Sequence, residues 1–280
     1  MRPHQYIKNL FILLPLYFGL KMTDLALLFD ASMAFIAFSL TASAVYILND
    51  YCDIAADRLH PSKKHRPLAA GTVSKQQAVV VFFALLGISF AIMATLSVTA
   101  AAILACYLVL NIAYSLSLKH VAIIDVSIIA IGFVLRLFVG STVTAVPLST
   151  WIVLMTFLLT LFIALAKRRD DMLIYLKTGQ KTRKVIDGYN LKFLDIGLAI
   201  MASVVIVGYI IYTTSMEVVQ RVHSEYLYLT SLFVILGVFR YLQIAFIHQD
   251  SGSPTKIVLN DRFIQVVLLG WIVSFTWILY

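Results

Sequence analysis

The chain has 280 residues, of which 61% are hydrophobic and only 13% charged, with a formal net charge of +8 and a mean hydropathy of +0.93. That balance excludes a soluble globular domain and describes an all-α, polytopic membrane protein. Two cysteines, Cys52 and Cys106, exclude a disulfide framework and make a poor zinc site, so both are read as packing residues.

Apolar stretches near the ~20 residues that cross a bilayer recur along the whole sequence. About nine helices are expected, at 6–20, 25–48, 75–97, 99–118, 121–143, 148–166, 192–213, 226–247 and 261–280, in one integral-membrane domain over residues 1–280. The first is short and bent by Pro15. Tyr17, Phe18, Gly19 and Lys21 offer no small-residue cleavage site, so it reads as a retained helix rather than a signal peptide.

Lys and Arg set the orientation. With the N-terminus in the cytoplasm, the inner loops hold Arg58, Lys63, Lys64, Arg66 and Lys75, then Lys119, then the run from Lys167 to Lys192, then Lys256 and Arg262. The outer loops keep Lys21 and Arg221. Anionic headgroups also attract such a face, so the charge alone does not prove a phosphorylated substrate.

The second span ends in Asn49-Asp50-Tyr51-Cys52-Asp53-Ile54-Ala55-Ala56-Asp57-Arg58. At about 100° per residue, Asp53 lies about 60° and Asp57 about 20° off the direction of Asp50, so the three carboxylates share a face. Hard divalent cations such as Mg²⁺ prefer such oxygens and bridge them to a substrate's phosphates. His60, Lys63, Lys64, His65 and Arg66 follow at once, between Pro61 and Pro67. The prolines disfavour helix in the residues before them, which shapes a loop whose cations converge on an anion.

The fourth span closes on a stripe of Asn111, Tyr114, Ser115 and Leu118 with Lys119 at its mouth; the serines are read as structural, Tyr114 and Lys119 as phosphate contacts. In the fifth, Arg136 sits among Phe133, Val134, Leu135, Leu137 and Phe138. A guanidinium there costs at least ~2.5 kcal/mol on insertion scales and calls for a polar cavity or a partner. Asp125, Gly132 and Arg136 fall within about 20° of one line along the helix, a stripe running inward from the cytosol. After the sixth span, Lys167-Arg168-Arg169-Asp170-Asp171 opens a loop in which the adjacent aspartates cannot share a focus. Asn260 is placed to cap the last helix.

Asn49-Asp50-x-x-Asp53-x-x-x-Asp57 resembles the first aspartate motif of the UbiA-type intramembrane prenyltransferases, nine-helix enzymes whose aspartates hold Mg²⁺ against a diphosphate. Further motifs narrow the resemblance over nearly the whole chain. They are Arg2-Pro3-x-Gln5-x-x-Lys8-Asn9, Asp57-Arg58-x-His60-Pro61-x-Lys63-Lys64-x-Arg66-Pro67-Leu68-Ala69-Ala70-Gly71, and Leu118-Lys119-His120 with Asp125. Gly132-Phe133-Val134-Leu135-Arg136, Ala166-Lys167-Arg168-Arg169 and Asn260-Asp261-Arg262 complete the set. Together they resemble the branch that transfers phosphoribose to decaprenyl phosphate. Relatives that prenylate aromatic acids carry a second spaced aspartate pair where this chain has Lys167-Arg168-Arg169-Asp170-Asp171, and the added positive charge suits a donor with an extra phosphate.

The resemblance implies a Mg²⁺-dependent transfer of 5-phosphoribose from phosphoribosyl pyrophosphate to a polyprenyl phosphate at the cytoplasmic face of the inner (plasma) membrane. Asp50, Asp53 and Asp57 would be metal ligands and catalytic. Lys8, Asn49, Arg58, Lys63, Lys64, Arg66, Tyr114, Lys119, Asp125, Arg136, Lys167 and Arg168 would bind substrates. Membrane lipid is a partner, nucleic acid is not, and a homo-oligomer is admissible. Two other readings compete: an aromatic prenyltransferase using a prenyl diphosphate, and a transporter of an anionic solute, which the crowding of polar motifs on one face disfavours.

Overall fold

Eight helices of the computed structural model are long and apolar enough to cross a membrane; it describes residues 3–59, 63–179, 184–249, 251–252 and 254–279. Helices, joined by short turns, make up the secondary structure of those residues, which include no strand. After a 3-10 helix, Pro3–Leu13, come α1 (Leu14–Phe18), α2 (Leu25–Cys52), α3 (Ile54–Leu59), α4 (Pro67–Ala70), α5 (Lys75–Leu96), α6 (Val98–Leu116) and α7 (Ile124–Thr144). There follow α8 (Thr150–Thr178), α9 (Leu191–Thr214), α10 (Met216–Val222), α11 (Ser231–Gln243), a π turn (Ile244–His248), α12 (Pro254–Asn260) and α13 (Arg262–Leu279).

One compact unit comprises Met1–Lys119 and Ile131–Ser149, the other His120–Ala130 and Thr150–Tyr280. In the first, α2 presents Ala31, Ala34, Ala37, Ser39, Thr41, Ala42, Ser43 and Ala44 to the interior. Small side chains let helices approach closely where no hydrophobic force drives them together. Ser89 of α5 donates to the Ala37 carbonyl at 2.5 Å and pairs with Thr41 at 2.7 Å. Phe38, Met93, Leu104, Tyr107 and Val139 fill the core around Ile12 of the 3-10 helix. In the second unit Phe162, Leu165, Ile186, Leu194 and Leu198 form the core, with Val126 of α7 among them. Val80, Phe83, Val98, Val266 and Trp277 are exposed, as the lipid-facing surface of a membrane bundle requires.

Four sequence expectations change. Residues 6–20 form the 3-10 helix and the single-turn α1, not a span of the others' length. The sixth span does not stop at 166: α8 continues to Thr178 and carries Lys167 to Asp171 on helix, not loop. Asn260 closes α12, and Asp261 caps α13, its carboxylate accepting from the Ile264 amide at 2.9 Å. Cys52 and Cys106 are exposed, not packed.

Candidate active site

The acidic motif keeps a helical path across a break. α2 ends at Cys52, the Asp53 amide still donates to the Asn49 carbonyl at 3.0 Å, and the Asp57 amide donates to the Asp53 carbonyl at 2.8 Å. Asp50, Asp53 and Asp57 therefore retain the facing that a continuous helix gives them. Pro67 opens α4 and keeps Arg66 before it extended, at φ −64°, ψ 141°. Gly71, at φ 77°, ends the turn in the left-handed region. Arg58 donates through Nε to the Ala69 carbonyl at 3.1 Å, stapling this turn to α3.

The result is a set of carboxylates met by the chain's own cations. Arg66 Nη1 lies 3.0 Å from Asp50 Oδ1 and 2.7 Å from Asp57 Oδ2. Lys119 Nζ lies 2.7 Å from Asp53 Oδ1. Asp57 and Lys119 are buried, Asp50, Asp53 and Arg66 half-buried. No group of three or more His, Cys, Asp or Glu among the described residues is arranged to hold a metal ion. The donor chemistry nevertheless fits one: two hard carboxylate oxygens already converge on a single positive nitrogen, and Mg²⁺ is commonly held by one or two carboxylates, with water and phosphates as its other ligands.

Arg136, 6% exposed, has neutral partners. Nε donates to Asn9 Oδ1 at 2.8 Å, Nη1 to the Gly132 carbonyl at 2.6 Å and Nη2 to the Tyr107 hydroxyl at 3.4 Å. Phe38, Tyr107 and Phe133 present their rings to the guanidinium at 4.7, 5.1 and 5.1 Å, an arrangement that stabilises a desolvated cation. Asn9 in turn donates to Ser39 Oγ at 2.8 Å. No carboxylate among the described residues pairs with Arg136.

In the second unit, Asp125 and Arg168 form a buried network, 0% and 1% exposed. Arg168 Nε donates to Asp125 Oδ2 at 2.5 Å and Nη1 to Asp171 Oδ2 at 2.6 Å. Tyr189 donates its hydroxyl proton to Asp125 Oδ1 at 2.7 Å and accepts from the Ile123 amide at 2.7 Å. Arg169 donates to Asp195 Oδ1 and to the Ala245 carbonyl of the π turn, each at 2.6 Å. The sequence assigns the positive charge of Arg168 and Arg169 to the donor. Here it is spent on carboxylates of the chain itself.

The other expected binding residues are placed more simply. Lys8, Asn49, Tyr114 and Lys167 are half-buried, and Arg58 and Lys64 are exposed. His60, Pro61, Ser62 and the Lys63 side chain lie outside the described residues, as do Arg2, Lys181 and Arg183. Sequence reasoning misses Tyr107, although it stands one turn before Asn111 and two before Tyr114 on the polar stripe of α6. Asn9 appears only within a motif. Tyr189, in an irregular stretch, has no signal at all.

The profile of the UbiA prenyltransferase family matches residues 12–275. The decaprenyl-phosphate phosphoribosyltransferase of Mycolicibacterium smegmatis is 31% identical over 282 residues, covering 97% of this chain and 88% of that protein. The enzyme of the same name from Corynebacterium glutamicum is 30% identical over 276 residues, covering 97% and 83%. The fold is similar to that of a UbiA homolog from Archaeoglobus fulgidus bound to DMAPP and Mg²⁺, with a TM-score of 0.72 at 20% identity, covering 99% of this chain and 96% of that one.

Proposed function

Because the chain belongs to the UbiA prenyltransferase family and is a transferase, we propose that it moves 5-phosphoribose from phosphoribosyl pyrophosphate to a polyprenyl phosphate. The bond from C1 of the ribose to pyrophosphate breaks, and one from C1 to an oxygen of the lipid phosphate forms. The observation that carries this reading is the convergence of Asp50 and Asp57 on one cation beside the Asp53–Lys119 pair. Acid for a metal and base for phosphate adjoin. The nearly full-length similarity to enzymes of that name supports the choice of donor.

Asp50, Asp53 and Asp57 would hold Mg²⁺, which when bound neutralises charge developing on the departing pyrophosphate. Arg66, with Lys63 and Lys64 of the same run, grips phosphate oxygens of the donor. Arg66 does so as a planar fork, the lysines as point charges. Arg136 attracts the lipid phosphate, and Lys119, paired with Asp53, meets the diphosphate of the donor. Because a phosphate oxygen is already anionic, the nucleophile needs no general base. Asp125 and Arg168 hold each other within the second unit. The whole of 1–280 serves as one transferase domain in the plasma membrane, its charged face toward the cytoplasm, where the donor is found.

The test offers purified protein, with Mg²⁺, either ribose-labelled phosphoribosyl pyrophosphate and polyprenyl phosphate or a labelled prenyl diphosphate and 4-hydroxybenzoate. Label passing to the lipid phase from the first pair alone is expected. Prenylated benzoate from the second pair, with none from the first, would overturn the proposal in favour of the aromatic prenyltransferase.

A further inference from the structure

The carboxylates that the proposed function gives to a metal already hold cations of the chain. Arg66 Nη1 stands between Asp50 Oδ1 and Asp57 Oδ2 at 3.0 and 2.7 Å, where an ion bridging those oxygens would have to sit, and Lys119 Nζ holds Asp53 Oδ1 at 2.7 Å. Two like charges do not share one seat. Arg66 must therefore withdraw before a metal bridges Asp50 and Asp57. Withdrawal leaves a partly buried guanidinium without its counter-ions, a costly state unless another anion receives it.

A metal alone supplies the carboxylates with a new cation and leaves Arg66 and Lys119 with nothing. A metal carried on a diphosphate supplies both partners at once: the ion takes the carboxylates, and the phosphate oxygens take the guanidinium and the ammonium. We infer that Arg66 and Lys119 are exchangeable counter-ions that make this chain accept metal and diphosphate as a unit. They keep the aspartates neutralised and in position beforehand, and they oppose occupation by the bare ion. This inference rests on the metal-binding reading of Asp50, Asp53 and Asp57.

The exchange predicts opposite effects on two affinities, which loss of fold does not produce. Full-length protein in lipid nanodiscs is titrated calorimetrically with Mn²⁺ alone and with preformed Mg²⁺–pyrophosphate. Arg66→Gln is expected to bind Mn²⁺ about tenfold more tightly than wild type and Mg²⁺–pyrophosphate about tenfold less tightly, a typical size for coupling between ligands. Lys119→Gln, acting at Asp53, is expected to move both affinities the same ways and stands in should Arg66→Gln not fold. Mn²⁺ binding that is unchanged or weakened in the folded variants would overturn the exchange. Asp57→Asn separates the failures: if it binds Mn²⁺ as wild type does, the metal reading itself falls, whereas if it loses Mn²⁺ while Arg66→Gln gains none, only the exchange falls.

Discussion

Tyr189 keeps its proton because burial above all, and then its hydrogen bond to Asp125, push the phenol well above its ordinary pKa. It therefore acts as a permanent donor to a carboxylate that has no access to water. Tyr189→Phe should cost about 1–3 kcal/mol in unfolding free energy, the penalty of an unsatisfied buried acceptor, measurable as a lower melting temperature. Asp261 shows the opposite shift: the hydrogen bond from Arg240 holds its carboxyl below the usual range. A depressed pKa stabilises the fold above the ordinary carboxylate value and ceases to as pH falls through the folded value. The stability gap between wild type and Asp261→Asn should thus be full at neutral pH and close in acid; a gap that widens in acid would contradict this. Asp50→Asn and Asp57→Asn should each lower turnover at least ~100-fold with the fold intact, since each weakens stabilisation of the leaving group. Arg136→Lys, followed in the same transfer assay, should keep part of the activity and Arg136→Met less. Equal activity in both would remove Arg136 from the lipid-phosphate site.

At the scale of elements, two glycines in helices make opposite demands. A Cβ at Gly140 would fall on the carbonyl oxygen of Ile12, whereas one at Gly87 meets nothing within 4 Å. Gly140→Ala should destabilise by about 1–3 kcal/mol, as overpacking does, and Gly87→Ala should leave thermal stability unchanged or higher. Much of the architecture is legible because lipid imposes long apolar runs, so most expected spans recur within a few residues. The failures share a cause: hydropathy reports contact with lipid rather than helix. α8 outlasts its apolar run by three turns because Arg168 finds the buried Asp125 and Arg169 the half-buried Asp195 there, partners 43 and 26 residues distant that no local pattern discloses. The first aspartate motif was legible because its spacing follows one helical path, which the chain keeps across the break between α2 and α3. The seat of Arg66 on it was not, because that depends on how a proline-bounded loop folds back.

For the molecule as a whole, the asymmetry of Lys and Arg predicts which side each end of the bundle faces. Cys52, exposed at the end of α2, should react with an impermeant maleimide only from the cytoplasmic side, and Ser224→Cys in a Cys52→Ala background only from outside. The reverse pattern would part the aspartates from their cytosolic donor. Transfer of phosphoribose at the aspartates, on the cytoplasmic face, is checked by counting both products of one reaction. Purified protein given Mg²⁺, polyprenyl phosphate and ribose-labelled phosphoribosyl pyrophosphate should release one pyrophosphate for each phosphoribose that enters the lipid phase, and folded Asp57→Asn should reduce both together. Pyrophosphate release without label in the lipid, or full transfer by folded Asp57→Asn, would contradict it.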